Sequence, residues 1–289
     1  MKNIILTLIT AITASFAVNA AAPKDMRFHC DQDTLRIVEL LEQGIESGIS
    51  NPNELTVFYA NLLLDTPYVA GTLEDDEKEW LTINVHEFDC MTFIETLYAL
   101  TRTTLDNRYS WRDYAQNLEN VRYRGGELGD YSSRLHYVSD WIVNNSYRGN
   151  IREITASVEG ARETTKTLNY MTSNRSKYPQ LIDNDEMYEK IKNFEVGYRL
   201  HRYSYIKKEW VLEKKTKAGF HSGDIVAILT KTEGLDVAHM GIIVEDGGTF
   251  KLLHASSSAG KVILEKDDLR ETLRINRNWT AIRIIRIIK

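Results

Sequence analysis

Several things are scarce in this sequence, and each scarcity excludes something. Basic residues are not in surplus: 36 Lys and Arg stand against 41 Asp and Glu, for a formal net charge of −5. A duplex nucleic-acid binder carries a strong basic excess, so none is expected as a partner. Proline occurs 4 times and glycine 16 times in 289 residues, which excludes collagen-like and Pro-rich linker classes. No run reaches the roughly 18–20 apolar residues that a membrane-spanning helix needs. Internal repeats are absent, and so are His-Glu-x-x-His and Cys-x-x-Cys spacings, the usual marks of a zinc site. Cysteine occurs only at Cys30 and Cys90.

What is present is globular. Hydrophobic residues make up 43% and charged residues 27%, enough for a buried core in one large domain or two small ones. The N-terminus carries one positive side chain, Lys2. An apolar or small-residue run follows from Ile4 to Val18, and then Asn19-Ala20-Ala21-Ala22. The run is too short to span a bilayer, and the small residues suit a signal peptidase. Residues 1–20 are therefore expected to be a secretory signal peptide. The mature chain, 21–289, is expected to be exported and free of membrane insertion.

Helical spacing of Leu35, Val38, Leu41 and Ile45 predicts a helix over 31–47, and a similar pattern predicts one over 54–64. Pro67 ends the second. Residues 69–88 read as loop with an extended piece at 80–85. In Asp89-Cys90-Met91-Thr92-Phe93-Ile94-Glu95-Thr96-Leu97-Tyr98-Ala99-Leu100, one face is apolar and Asp89 is a good N-cap, so Cys90 falls in the first turn. Residues 106–218 are polar and aromatic-rich, with helical stretches near 111–121 and 185–197. Short apolar runs then follow at 225–229, 240–244, 250–254, 261–264 and 281–288. Asp246-Gly247-Gly248 forms a hairpin turn between two of them. Helices first and consecutive strands last predict an α+β fold with an antiparallel sheet.

The exported context gives the two cysteines two readings: one disulfide, or a nucleophile at Cys90. A helix start favours a thiolate and an oxyanion through its free N–H groups, although Asp89 opposes the thiolate by its charge. His239 heads one strand and His254 closes the next, so adjacent antiparallel strands bring the two imidazoles together. A thiol, a base and a group that orients the base make a hydrolase site. Taken singly, such a cysteine is more often structural, and each histidine reads as an ordinary sheet residue. His86, Cys90, His239 and His254 are the rival zinc donors, but without a zinc motif no metal or cofactor is expected.

The residues Glu87-Phe88-Asp89-Cys90-Met91-Thr92-Phe93-Ile94-Glu95, Ser222-Gly223-Asp224-Ile225-Val226, His239-Met240-Gly241-Ile242 and His254-Ala255-Ser256 occur in that order. This set resembles the NlpC-type cell-wall cysteine hydrolases, which have a papain-like core. The resemblance is closer to one branch, the N-acetylmuramoyl-L-alanine amidase-like family of exported bacterial proteins. That branch is marked here by Asp65-Thr66-Pro67-Tyr68-Val69-Ala70-Gly71-Thr72-Leu73-Glu74, Arg122-Tyr123-Arg124-Gly125-Gly126, Ser132-Ser133-Arg134-Leu135-His136-Tyr137 and Asp140-Trp141-Ile142. The resemblance spans roughly residues 60–289. One departure is that Met91-Thr92 follows the cysteine, where the wider group commonly has Ser-Gly.

The resemblance implies a single papain-like domain. N-terminal helices carrying the nucleophile pack on a C-terminal antiparallel sheet, with a large, mostly helical or loop insertion near 106–218. It implies Cys90 as nucleophile, His239 as base and His254 as the orienting third member, which makes a Cys30–Cys90 disulfide unexpected. Tyr68 is implied to lie beside the nucleophile. Ser133, Arg134 and Tyr137, in the inserted segment, become candidates for substrate binding, Arg134 through a stem-peptide carboxylate. The implied activity is periplasmic cleavage of the amide between N-acetylmuramic acid and L-Ala in peptidoglycan or its fragments. The alternatives are a D-glutamyl endopeptidase, a non-catalytic wall-binding protein and a zinc amidase.

Overall fold

A computed structural model describes residues 25–74 and 78–289. The expected signal peptide lies outside the described residues. The helices are α1 (Asp33–Glu46), α2 (Pro52–Leu62), α3 (Cys90–Leu105), α4 (Trp111–Arg122) and α5 (Val138–Tyr147). The single turns α6 (Tyr170–Ser173) and α7 (Pro179–Ile182), then α8 (Asp185–Gly197), α9 (Lys214–Lys217) and α10 (Leu269–Ile275), complete the set. Strands β1 (Met26–Phe28) and β2 (Leu81–Ile83) form a small parallel pair. The main sheet holds β3 (Ile151–Glu153), β4 (Arg162–Lys166), β5 (His201–Lys207), β6 (Ile225–Thr230), β7 (Val237–Asp246), β8 (Thr249–Ser256), β9 (Lys261–Leu264) and β10 (Trp279–Ile287). Its order is β4-β5-β10-β6-β7-β8-β9, with β3 also on β10, and all its pairings are antiparallel.

This is a mixed α+β architecture with helices laid on an antiparallel sheet. Both faces of the sheet are covered. Ile225, Ala227, Leu229, Met240 and Ile242 pack against the helical layer that includes Leu40, Leu55, Phe93 and Leu97. Val226, Ile228, Ile243 and Leu252 face the other way, against Val211, Leu269 and Leu273. Two-sided burial explains why the strands read as near-continuous apolar runs rather than as an alternation. Between β7 and β8 the chain turns through Gly247 (φ 60) and Gly248 (φ 79), the positive pair that a two-residue hairpin turn requires.

The segment near 106–218 contains the expected helices and also adds β3, β4 and β5 to the sheet. These strands are edge or side elements, rich in Arg, Thr, Tyr and Lys. Their place comes from backbone pairing with β10 and with each other, which hydrophobic periodicity does not register. Part of this segment folds as its own small cluster around Tyr131, Tyr137, Leu168, Met171, Leu181 and Ile191.

The Ser-Gly-Asp stretch holds the layers together. Asp224 is fully buried and accepts from Arg286 Nε at 2.7 Å and NH2 at 2.9 Å, and from Asn53 Nδ2 at 2.9 Å. Gly223 has φ +92, and a Cβ there would sit 2.2 Å from the Asn53 carbonyl oxygen. Glycine is required because α2 presses its backbone onto this turn.

Candidate active site

The N-terminus of α3 is fixed by a capping box. The Asp89 carboxylate accepts from Met91 N (2.9 Å) and Thr92 N (2.8 Å), and Thr92 Oγ1 accepts from Asp89 N (3.0 Å). Pro67, Tyr68 and Val69 run alongside Phe88, joined by Phe88 N–H to Pro67 O (3.0 Å) and Val69 N–H to Phe88 O (3.0 Å). Tyr68 is therefore held beside Asp89 and Cys90. Burial, then the electrostatic influence of Cys90 and Asp89, push its phenol above the ordinary tyrosine range.

Cys90 is a free, partly buried thiol. Burial, and then the Asp89 carboxylate, push its pKa up to about 12. The backbone N–H groups of Met240, Cys90 and Met91 pull the other way. The resting group is a neutral thiol at the helix start.

His239 is aimed by a bulge. Ile228 pairs with His239 but Leu229 pairs with Val237, which leaves Ala238 as the extra residue of β7. Such bulges re-aim a side chain. The β7–β8 ladder runs from Asp246↔Thr249 to Ile242↔Leu253. Beyond it, side chains join the two strands. His239 Nε2 lies 2.6 Å from His254 Nδ1, and His254 Nε2 lies 2.9 Å from Glu265 Oε1. Gly241 is needed here, since a Cβ would stand 2.9 Å from His254 Cβ and 2.9 Å from Leu253 O. The His239 ring also stacks on Trp279, with centroids 5.6 Å apart and planes 11° apart.

These bonds assign the tautomers. A carboxylate only accepts, so His254 donates from Nε2 and its Nδ1 is left as an acceptor. His239 then donates from Nε2, and its Nδ1 carries the free lone pair. Burial, then the neighbouring His254, drops the His239 pKa to about 3. Burial also lowers that of His254, while Glu265 opposes this. His239 is a neutral imidazole whose Nδ1 carries no proton.

Glu265 was not among the residues singled out from the sequence. It opens a charged run, Glu265-Lys266-Asp267-Asp268, that reads as a solvated turn. Its place is set by its N–H bonding to Leu252 O at 2.8 Å, which carries β9 one residue further along β8 and turns the carboxylate to His254. Trp279 carried no signal either, since a lone Trp reads as core.

A cavity of about 150 Å³ opens beside the start of α3, between Asp89, Met91, Thr92 and Glu95 on one side and Glu74, Arg134 and His136 on the other. Arg134 is buried, 2.7 Å from Glu74 Oε1 and 3.4 Å from Glu79 Oε1. His136 Nε2 donates to Tyr131 O at 2.7 Å, which leaves Nδ1 as an acceptor. Burial and the Arg134 charge drop its pKa to about 3.

Ser133 and Tyr137 do other things. Ser133 Oγ donates to Asp130 O (2.7 Å) and accepts from Gly129 N (3.0 Å), closing a turn. Tyr137 is buried in the satellite cluster, where its hydroxyl donates to Glu195 (2.7 Å) and accepts from Met171 N (2.8 Å). The structure brings Tyr68, Arg134 and His136 to the region of Cys90 and commits the hydroxyls of Ser133 and Tyr137 elsewhere. Of the rival zinc donors, His86 lies with Cys30 and Asp33. That is the one set of three such side chains, among the described residues, whose ligand atoms lie within 4.8 Å of one another.

A free thiol thus stands at the capped start of α3, and a carboxylate–imidazole–imidazole chain runs from Glu265 through His254 to His239. The chain belongs to the AmiA-like (N-acetylmuramoyl-L-alanine amidase-like) family, whose model matches residues 59–280. It is 37% identical to an N-acetylmuramoyl-L-alanine amidase from Bacteroides uniformis ATCC 8492. That likeness covers 82% of this chain and 99% of that one, with a TM-score of 0.78. A putative xylanase from Bacteroides fragilis is also 37% identical, covering 79% and 98% of the two chains with a TM-score of 0.74. A Legionella pneumophila protein, 18% identical, covers 88% and 95% with a TM-score of 0.65 and so shares the fold. No curated protein matches the chain. No helix among the described residues is long and apolar enough to cross a membrane.

Proposed function

We propose that the protein is an exported, periplasmic, cysteine-dependent amidase with an NlpC-type papain-like core. Its substrate is peptidoglycan or its muropeptide fragments, and it cleaves the amide between the lactyl group of N-acetylmuramic acid and L-Ala. The observation that carries the reading is the Glu265–His254–His239 hydrogen-bond chain, ending on a neutral basic nitrogen. Family membership supports the amide as the bond.

In this mechanism His239 Nδ1 takes the proton of the Cys90 thiol as sulfur attacks the lactyl carbonyl. The backbone N–H of Cys90, at the start of α3, is suited to hold the oxyanion. Collapse breaks the C–N bond, and the His239 imidazolium gives its proton to the departing L-Ala amine. Water, deprotonated by His239, then hydrolyses the thioester to the lactyl acid and free thiol. Glu265 and His254 keep the imidazole in the working tautomer and stabilise its cationic form.

A glycosidase reading fits less well. It needs two carboxyl groups free to act across a glycosidic bond. The carboxylates near the cavity are already engaged: Asp89 in the helix cap, Glu95 with Arg122 at 2.6 Å, and Glu74 and Glu79 with Arg134. Arg134 is the proposed contact for a stem-peptide carboxylate, with Glu74 giving way as the substrate arrives.

Mass spectrometry of purified muropeptides, with a Cys90→Ala control, tests the reading. The expected result is cysteine-dependent release of an intact stem peptide beginning at L-Ala. A sugar product still bearing L-Ala-D-Glu moves the cut into the stem peptide, the endopeptidase alternative. Binding without turnover favours the wall-binding alternative. Full activity in Cys90→Ala, lost on chelation, overturns the thiol mechanism in favour of a zinc amidase.

A further inference from the structure

We propose that Cys30, Asp33 and His86 form a binding site for a zinc-like divalent transition-metal ion, separate from the Cys90 region. Three different ligand types converge there: a thiol, a carboxylate and an imidazole, with ligand atoms all within 4.8 Å of one another. Asp33 is fully buried. Its Oδ2 accepts from Cys30 N at 2.8 Å and its Oδ1 from Val85 N at 3.3 Å, so the carboxylate is locked in place.

The second observation is His86 Nε2. The ring is 38% exposed, but this nitrogen lies on its covered side and has no hydrogen-bond partner. A buried polar atom without a partner is costly and calls for a reason. Asp33 Oδ1 stands 3.7 Å from it, too far for a hydrogen bond. An imidazole nitrogen and a carboxylate oxygen bonded to zinc at roughly 2.0–2.2 Å stand about 3.3–3.5 Å apart at a tetrahedral angle. The gap between His86 and Asp33 is slightly wider, so a small inward movement of His86 and of the Cys30 thiol completes three ligands. Water takes the fourth position. Thiolate, imidazole and carboxylate together suit zinc better than magnesium or calcium.

The three ligands come from separate places: the turn after β1, the first turn of α1 and the loop entering α3. That loop is already ordered by Asn84, whose Oδ1 accepts from His86 N (3.0 Å) and Glu87 N (3.1 Å). An ion here staples the N-terminal strand to the loop that ends at Asp89 and Cys90. Binding displaces the Cys30 thiol proton to solvent, so affinity rises with pH.

The test is titration of the metal-stripped protein with Zn²⁺ against a chromophoric chelator, and with Co²⁺ by absorption. Cys90→Ala serves as the background, to remove the other thiol. The expected result is one equivalent bound, a thiolate-to-cobalt charge-transfer band and a higher Tm with zinc. Cys30→Ser should abolish the band, and both Cys30→Ser and His86→Ala should weaken zinc by at least about 100-fold. Asp33→Asn is avoided as the deciding variant because Asp33 also holds the backbone. Failure to bind, or binding untouched by Cys30→Ser, overturns the proposal. Binding lost in His239→Ala but kept in His86→Ala places the ion on the other cluster and also overturns it. Because metal binding, not turnover, is read, the outcome is independent of the amidase reading.

Discussion

His239 and His254 share a 2.6 Å hydrogen bond from Nε2 to Nδ1, and that bond decides which nitrogen of His239 is basic. The decision originates one residue further back, at Glu265, which accepts from His254 Nε2 at 2.9 Å. Removing the carboxylate lets both rings re-tautomerise. Glu265→Ala is expected to lower kcat by about 10–100-fold with little change in KM, the range for a group that orients another. Glu265→Gln keeps an acceptor oxygen and should recover part of the loss. Imidazole ¹⁵N shifts of His239 should move in Glu265→Ala; unchanged shifts would sink the relay.

Cys90 should be slow to alkylate at neutral pH, because burial and Asp89 push its thiol up to about 12. The rate should climb towards alkaline pH. Asp89→Asn preserves an N-cap acceptor for Met91 and Thr92 N–H but removes the charge, so alkylation at pH 8 should speed up with little change in Tm. Equal rates in the two proteins would show that the Asp89 charge does not reach the sulfur.

Gly241→Ala places a methyl 2.7 Å from Leu252 Cδ1 and 2.9 Å from His254 Cβ. Overpacking of this kind costs about 1–3 kcal/mol, and the strain falls on His254. Activity should drop by far more than the loss of stability accounts for. Comparison of kcat with the urea midpoint checks this, and a variant with normal activity would mean that β8 yields freely.

Stability should fall as pH drops below the ordinary histidine range. His136 and His239 are both held near pKa 3 by burial, so between about 6.5 and 3 the unfolded chain binds protons that the folded chain refuses. The slope of unfolding free energy against pH is therefore positive in that window, and the contribution is complete above it. Buried Glu79 and Glu95, whose pKa values are raised, act in the opposite sense. The difference between wild type and His136→Gln isolates one imidazole. Urea midpoints at pH 7 and pH 5 should lie closer together in His136→Gln.

Much of the architecture was legible because local rules apply to it. Asp89 reads as an N-cap because it precedes an apolar helical face, and the α3 capping box is there. Gly247 and Gly248 read as a hairpin turn, and they join β7 to β8. Strands β3, β4 and β5 were not legible. They are held by backbone pairing at one side of the sheet, and residues such as Arg162, Thr164 and Lys166 show no apolar pattern. The hydroxyls of Ser133 and Tyr137 looked available, but a turn and a buried cluster take them up.

By itself the sequence determined the helices that lead to Cys90, the series of strands from β6 to β10, the helix start at Cys90 and the pairing of two strands that carry His239 and His254. Each of these follows from periodicity, capping or turn chemistry, which act over a few residues. Tertiary structure alone decided that Glu265 meets His254, that Trp279 stacks on His239, that Arg134 is held by Glu74 and Glu79, and that Cys30 meets His86. These contacts join residues far apart in the chain or turned by strand register. Sequence spacing does not encode where a strand ends or which way its last side chain faces.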